Sequence, residues 1–123
     1  MNATTLALRA YSAESTPAGT HRAAEYKLIA RVTHRLKQAA SDASFPMLAA
    51  ALADNRRLWT ALAVDVAARE NALPSQLRAR LFWLAEFTES HSRKVLAGQA
   101  TVAPLLEINT AVLRGLRNEE PAG

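Results

Sequence analysis

A corner flanked by two amphipathic runs constrains this chain more than any other feature. Before it, Leu48, Leu52, Asn55, Trp59, Leu62 and Val66 recur at steps of four and three; after it, Leu77, Leu81, Leu84, Thr88, His91 and Val95 do the same. That spacing stacks side chains on one face of an α-helix. Between the runs, Asn71, Ala72, Leu73 and Pro74 break the period, because proline cannot continue a helix it did not start and pushes the residue before it out of the α region. The pattern therefore predicts a helical hairpin. At about 1.5 Å per residue each arm is roughly 35 Å long, so the two can pack along most of their length. Their shared seam needs further helices to cover it.

The remainder of the 123-residue chain offers them. A length of this order makes one domain with a core of its own, and no strand pattern, internal repeat or low-complexity tract competes. The fold class expected is all-α, a small four-helix bundle with a flexible N-terminal arm. Residues 1–19 contain Ser12, Ser15, Pro17 and Gly19 without sustained periodicity, and Leu6, Leu8 and Tyr11 are their anchors if they dock. The bundle domain is expected over 20–117, with helices at about 20–40, 44–67, 74–97 and 101–117, followed by a frayed tail over 118–123. Thr20, Ser44 and Thr101 are placed to cap the first, second and fourth helices, and Pro46 suits a first turn. The third stops at Gly98, with Arg93 and Lys94 near its negative end. Leu28, Ile29, Val32 and Leu36 form the inner face of the first helix; Leu105, Ile108, Val112 and Leu116 form that of the fourth.

Composition narrows the chemistry. Half the residues are hydrophobic, glycine occurs four times and cysteine not at all, which is a helix-former's composition and excludes a disulfide framework, a thiolate metal site and a thiol nucleophile. The chain has no glycine-rich phosphate loop, no G-x-S-x-G elbow and no H-E-x-x-H pair. His21, His34 and His91 are scattered, and a single histidine on an apolar face such as His91 reads as a hydrogen-bonded core residue. Asp54, Asp65, Glu86, Glu89 and Glu107 do not form the Glu-x-x-His pairs of a di-metal bundle; Glu86 and Glu89 have Arg93 and Lys94 as surface partners. The expectation is a protein that is not an enzyme and uses no cofactor and no metal. No apolar run approaches the roughly 18–20 residues that cross a bilayer, and the N-terminus lacks the apolar core of a signal peptide. A soluble, cytoplasmic protein with no membrane partner is expected.

Three features remain once the bundle is drawn. Asn55, Thr88 and Asn109 sit on apolar seams, where polar residues fix helix register or, alternatively, bind directly. The third helix is apolar nearly all the way round: Phe82 and Trp83 fall about 130° from the centre of its seam on opposite sides, and Phe87 near 90°. Either the arm or neighbouring helices cover that surplus, or it is a groove that receives a partner helix. Finally, Lys27, Arg31 and Arg35 make a basic ridge with Arg22 and Lys37 nearby, in a chain of net charge +4. A solvated face explains the ridge, with RNA or an acidic protein surface as the rival; no aromatic platform interleaves it, so a nucleic-acid partner is the weaker reading.

Several segments together resemble the FlaF family of flagellar biosynthesis regulators of alphaproteobacteria. They are Arg31-Val32-Thr33-His34-Arg35-Leu36; Asn55-Arg56-Arg57-Leu58-Trp59 with Asp65 following; Asn71-Ala72-Leu73-Pro74 with Leu77-Arg78-Ala79; and Pro104-Leu105-Leu106-Glu107-Ile108-Asn109 running to Gly115-Leu116. The resemblance implies a cytoplasmic protein that promotes flagellin synthesis and export, with flagellin as partner and an FlbT-like repressor of flagellin translation as companion. Joined to the surplus apolar surface, it implies a secretion chaperone that holds an amphipathic terminal helix of flagellin in an apolar groove. Trp59, Leu73, Leu77, Phe82 and Trp83 are the expected apolar contacts, and Arg56, Arg57 and Arg78 the polar rim; the same residues would equally serve as the protein's own core. The alternatives are an RNA-associated translational regulator acting on flagellin message, and an adaptor for the FlbT-like repressor.

Overall fold

The computed structural model describes residues 21–42, 44–68 and 71–118. Among the described residues four helices follow one another: α1 (His21–Ser41), α2 (Phe45–Ala67), α3 (Ser75–Leu96) and α4 (Ala103–Asn118). Among the described residues there is no strand, and the chain is an all-α four-helix bundle. The arm expected over 1–19, the Thr20 cap and residues 119–123 of the expected tail lie outside the described residues.

Local chemistry explains where each helix begins and ends. Ser44 is extended, its side chain accepts the Met47 N–H at 3.4 Å and Pro46 sits in the first turn of α2; the Asp42 carboxylate in turn accepts the Ser44 N–H at 3.0 Å. Beyond α2 the corner is closed by one buried residue. Asn71 donates its side-chain amide to the Asp65 carbonyl at 3.2 Å and accepts the Leu73 N–H at 3.0 Å, so it satisfies a helix-end carbonyl and a loop donor together. Pro74 then stands at the N-cap of α3. That helix ends where Gly98 takes φ +75, which costs a side-chain-bearing residue more than glycine, and the Gln99 N–H reaches back to the Lys94 carbonyl at 2.8 Å. The fourth helix departs from expectation. The Val102 carbonyl accepts from Leu105 and Leu106 at 2.9 and 3.2 Å, so Val102 rather than Thr101 holds the N-cap position and α4 starts at Ala103.

The packing order is α4, α1, α2, α3 around the bundle. The α2–α3 hairpin makes the most extensive contact, α1 lies against both α2 and α4, and α3 approaches α4 only briefly. The ring is consequently open on its α3–α4 side.

Two apolar clusters fill the interior. One gathers Ile29, Val32, Leu58, Trp59, Leu62 and Ala85, flanked by Leu81, Leu84, Ile108 and Val112. The other gathers Leu36, Ala39, Ala51, Leu52, Val95, Val102 and Leu105. Between them in sequence, on all four helices, lie polar residues: Thr33 on α1, Asn55 on α2, Thr88 and Ser92 on α3, and Asn109 on α4. Asn109 is the hub. Its side-chain oxygen accepts the Trp59 indole N–H at 2.9 Å, and its nitrogen donates to the Asn55 oxygen at 2.8 Å and to the Thr33 hydroxyl at 3.1 Å. Asn109, Asn55 and Thr33 are held by one another, in keeping with a register-fixing role, whereas the Thr88 hydroxyl has no hydrogen-bond partner.

Asp65 is the strained point of the interior. It is 2 % exposed, and neither carboxylate oxygen has a hydrogen-bond partner. Burial pushes its pKa from 3.8 up to about 6, with the nearby Asn71 amide pulling the other way. An acid whose folded-state pKa is raised costs stability only where it must ionise: the penalty is absent below about pH 3.8, grows through about pH 6 and is complete above that. Asp65→Asn should therefore stabilise the protein at pH 8 by on the order of 2–3 kcal/mol, the worth of a shift of about two units, and the gain should vanish near pH 4. Urea denaturation of both proteins across that pH range measures it.

An exposed aromatic flank on α3

The α3 helix turns its small and polar residues inward. Ala85, Thr88, Ser92 and Val95 are its buried positions, and at about 100° per residue they share one face. One flank of that face meets α2. There Arg56 grips Glu89 with two hydrogen bonds, Nε to Oε2 at 2.8 Å and Nη2 to Oε1. Hydrogen bonding to Arg56 holds the Glu89 carboxyl below its usual range against the opposing effect of burial, with the charges of Arg56 and Arg93 adding to it. The same hydrogen bond raises the Arg56 pKa. Arg78, on this flank too, directs Nη1 toward the Ala68 carbonyl at 3.5 Å, the outer limit of a hydrogen bond.

The opposite flank carries an aromatic ladder. Trp83, Phe87 and His91 stand one turn apart, with Trp83 stacked on Phe87 at 5.7 Å between centroids and Phe87 on His91 at 5.2 Å, the planes 15° and 17° from parallel. The ladder ends on α4's side of the bundle, where His91 Nε2 donates to the Thr101 carbonyl at 2.7 Å. At that end α3 and the start of α4 are joined; at the other the ladder opens to water. Trp83 is 61 % exposed, Phe82 41 % and Leu77 36 %. Leu81 and Leu84, at neighbouring positions, are half-buried against the core. Adjacent exposed aromatics on a helix whose core face is already complete form the kind of apolar surface that a monomer seldom leaves bare without a use.

The structure sorts the eight expected contact residues. Leu77, Phe82 and Trp83 lie on the surface, and Leu73 is half-buried at the corner. Trp59 does not: it is 2 % exposed, packed in the core and bonded to Asn109, because its seam position faces α1 and α4 rather than solvent. The arginine rim is also different from the one expected. Arg56 is committed to Glu89, and Arg78 is folded back over the end of α2. Arg57 is exposed with its guanidinium 3.8 Å from Asp54. Glu89 pairs across helices with Arg56 rather than with Lys94 along its own.

His91 is the residue that sequence reasoning did not place at this surface, and Phe87, counted in the apolar surplus of the third helix, was not among the expected contacts. Their signal was the recurrence of aromatic rings at 83, 87 and 91, which a seam drawn through His91 obscured. The basic ridge is exposed at Lys27, Arg31 and Arg35, but Arg35 lies 3.6 Å from the Asp54 carboxylate, so the ridge is partly neutralised. Among the described residues no group of three or more histidines and carboxylates is arranged to hold a metal ion, and no helix is long and apolar enough to cross a membrane.

The two tryptophans should respond oppositely to truncation. Trp59→Ala opens a core cavity and orphans the Asn109 oxygen, and should cost about 3–5 kcal/mol. Trp83→Ser should fall within about 0.5 kcal/mol of the parent. Chemical denaturation of each variant measures both.

Comparison with family models matches residues 7–116 to the model of the flagellar protein FlaF. No curated protein and no solved structure matches the chain.

Proposed function

The chain belongs to the FlaF family of flagellar proteins, and from that premise we propose that it promotes flagellin synthesis and export in the cytoplasm by binding flagellin as a secretion chaperone. The partner segment is an amphipathic terminal helix of flagellin, laid along α3 and the open α3–α4 side. Trp83 and Phe87, with Leu77, supply the apolar contact, in the manner of a helix set into a groove, while Phe82, on the flank that meets α2, stands outside it. The observation that carries this reading is the exposure of Trp83, 61 %, at the open end of a stacked ladder whose other end is tied to α4. An aromatic that contributes so little to its own fold is suited to anchoring a partner, since large rigid rings dominate interface energetics.

The arginine assignments change under this reading. Arg57 keeps a rim role, while Arg56 and Arg78 serve the hairpin itself. Arg80, exposed on the ladder's flank, stands nearer the groove and takes their place. An FlbT-like regulator would meet the protein elsewhere than on this flank.

Calorimetric titration of the protein with peptides from the two flagellin terminal helices tests the proposal. Binding is expected, with little change between low and high salt, and Trp83→Asp should weaken it at least tenfold, about 1.4 kcal/mol. Unaltered affinity in that variant would remove the groove from the account. Binding to flagellin message leader that collapses as salt rises would favour the RNA-associated regulator instead.

A further inference from the structure

The aromatic flank of α3 is closed at each end by a cation. Arg80, Trp83, Phe87, His91 and Lys94 follow one another at steps of three and four, and at about 100° per residue they share an arc of roughly 80°. Arg80 and Lys94 are exposed and bracket the three stacked rings, about 21 Å apart along the axis. Neither has a carboxylate three or four positions away, and neither forms an ion pair among the described residues. The cations of the other flank are used internally: Arg78 is turned to the Ala68 carbonyl, and the charge of Arg93 acts on Glu89. The carboxylates of α3 lie away from the ladder as well. Glu89 is gripped by Arg56, and Glu86 stands about 100° round the helix from Phe87. The stripe therefore offers two uncommitted positive charges with nothing on its own flank to answer them.

That pattern discriminates between occupants. A second copy laid antiparallel across Phe87 would set Arg80 of each chain opposite Lys94 of the other, and a parallel copy would set each cation against its own image; like charges oppose both pairings. A nucleobase stacks on a free ring face, but both faces of Phe87 are taken, one by Trp83 and one by His91. An amphipathic helix suits the stripe better. Its aliphatic side chains pack against the ladder, and carboxylates at the two ends of its apolar stripe meet the two cations.

We propose that Arg80 and Lys94 form a two-point charge clamp, so that the flank accepts an amphipathic helix carrying carboxylates two heptads apart, one at each end of an apolar stripe. Two heptads of a second helix at a shallow crossing angle cover the same length and return to nearly the same face. Sliding that helix by one heptad would put one of its carboxylates against Phe87 and leave one cation unpaired, so the clamp sets register. Charges at the rim supply selectivity more than affinity, and the apolar contact still carries the binding. The identification of this helix with a flagellin terminus rests on the reading above; the charge requirement does not.

Calorimetric titration of the full chain with three designed amphipathic peptides of about 20 residues tests the clamp. Each carries leucines spaced as the rings of the ladder and two end positions spaced as Arg80 and Lys94, filled with glutamate, glutamine or lysine. The glutamate peptide should bind about fivefold more tightly than the glutamine peptide, and the lysine peptide about fivefold more weakly. In Arg80→Glu with Lys94→Glu the order should invert, and in Arg80→Gln with Lys94→Gln the three should converge, with unchanged helicity by circular dichroism in both. Equal affinities in the parent, an order that survives charge reversal, or no binding of the glutamate peptide overturns the proposal. So does a single-stranded oligouridylate that displaces that peptide, or shielding of Trp83 from acrylamide that grows with protein concentration, which would assign the flank to nucleic acid or to a second copy. A peptide of a flagellin terminal helix separates the two claims. If it binds the parent and the charge-reversed variant equally, the clamp falls and the flagellin reading stands; if it fails to bind while the glutamate peptide binds, the flagellin reading falls and the clamp stands.

Discussion

The side-chain amide of Asn109 reaches three neighbours at once, taking the Trp59 indole N–H and giving its own N–H groups to Asn55 and Thr33. Three helices are thus tied at one buried point. A polar group in the interior is expensive unless its partners are in place, so this arrangement penalises every other register: sliding α4 by one turn would carry Asn109 about 5.4 Å from its partners and orphan several groups together. The apolar clusters on either side supply cohesion without direction. The polar layer between them decides which residues face which.

Helix α3 lies outside this knot. The Asn55 nitrogen and the Thr88 hydroxyl have no hydrogen-bond partner, and α3 is held instead by its apolar residues in the two clusters, by the Arg56–Glu89 pair and by the His91–Thr101 bond to the loop before α4. The bundle can therefore be specified by α1, α2 and α4 while α3 presents its outer flank to solvent. This links the core to the surface: the register set at Asn109 fixes α2, α2 fixes the rotation of α3 through Arg56 and Glu89, and that rotation turns Trp83 outward.

Much of this was legible in the sequence, for reasons that can be named. The hairpin followed from apolar residues at steps of three and four and from the break at Asn71 to Pro74, and Ser44 with Pro46 located the start of α2. Polar residues on otherwise apolar seams marked Asn55, Thr88 and Asn109 as special. The sorting of the two tryptophans was not legible, because an aromatic on a helix looks the same from periodicity whether a neighbour covers it or not; only the packing order, with α1 against both α2 and α4, buries Trp59 and spares Trp83. The arginines were misread for a related reason. A long side chain reaches across to another helix, as Arg56 does to Glu89, and spacing along one helix says nothing of that. The ladder of Trp83, Phe87 and His91 was visible as spacing but hidden by assigning His91 to the inner face.

A double-mutant cycle between Trp59 and Asn109 tests the central claim most directly. Trp59→Phe removes the indole N–H and keeps a large ring; Asn109→Ala removes its acceptor. Measured by chemical denaturation, the two substitutions should be coupled by about 1–2 kcal/mol, each costing less in the presence of the other. A coupling indistinguishable from zero would mean that the buried hydrogen bond does not hold the helices in register, and the explanation of why α3 faces outward as it does would fall with it.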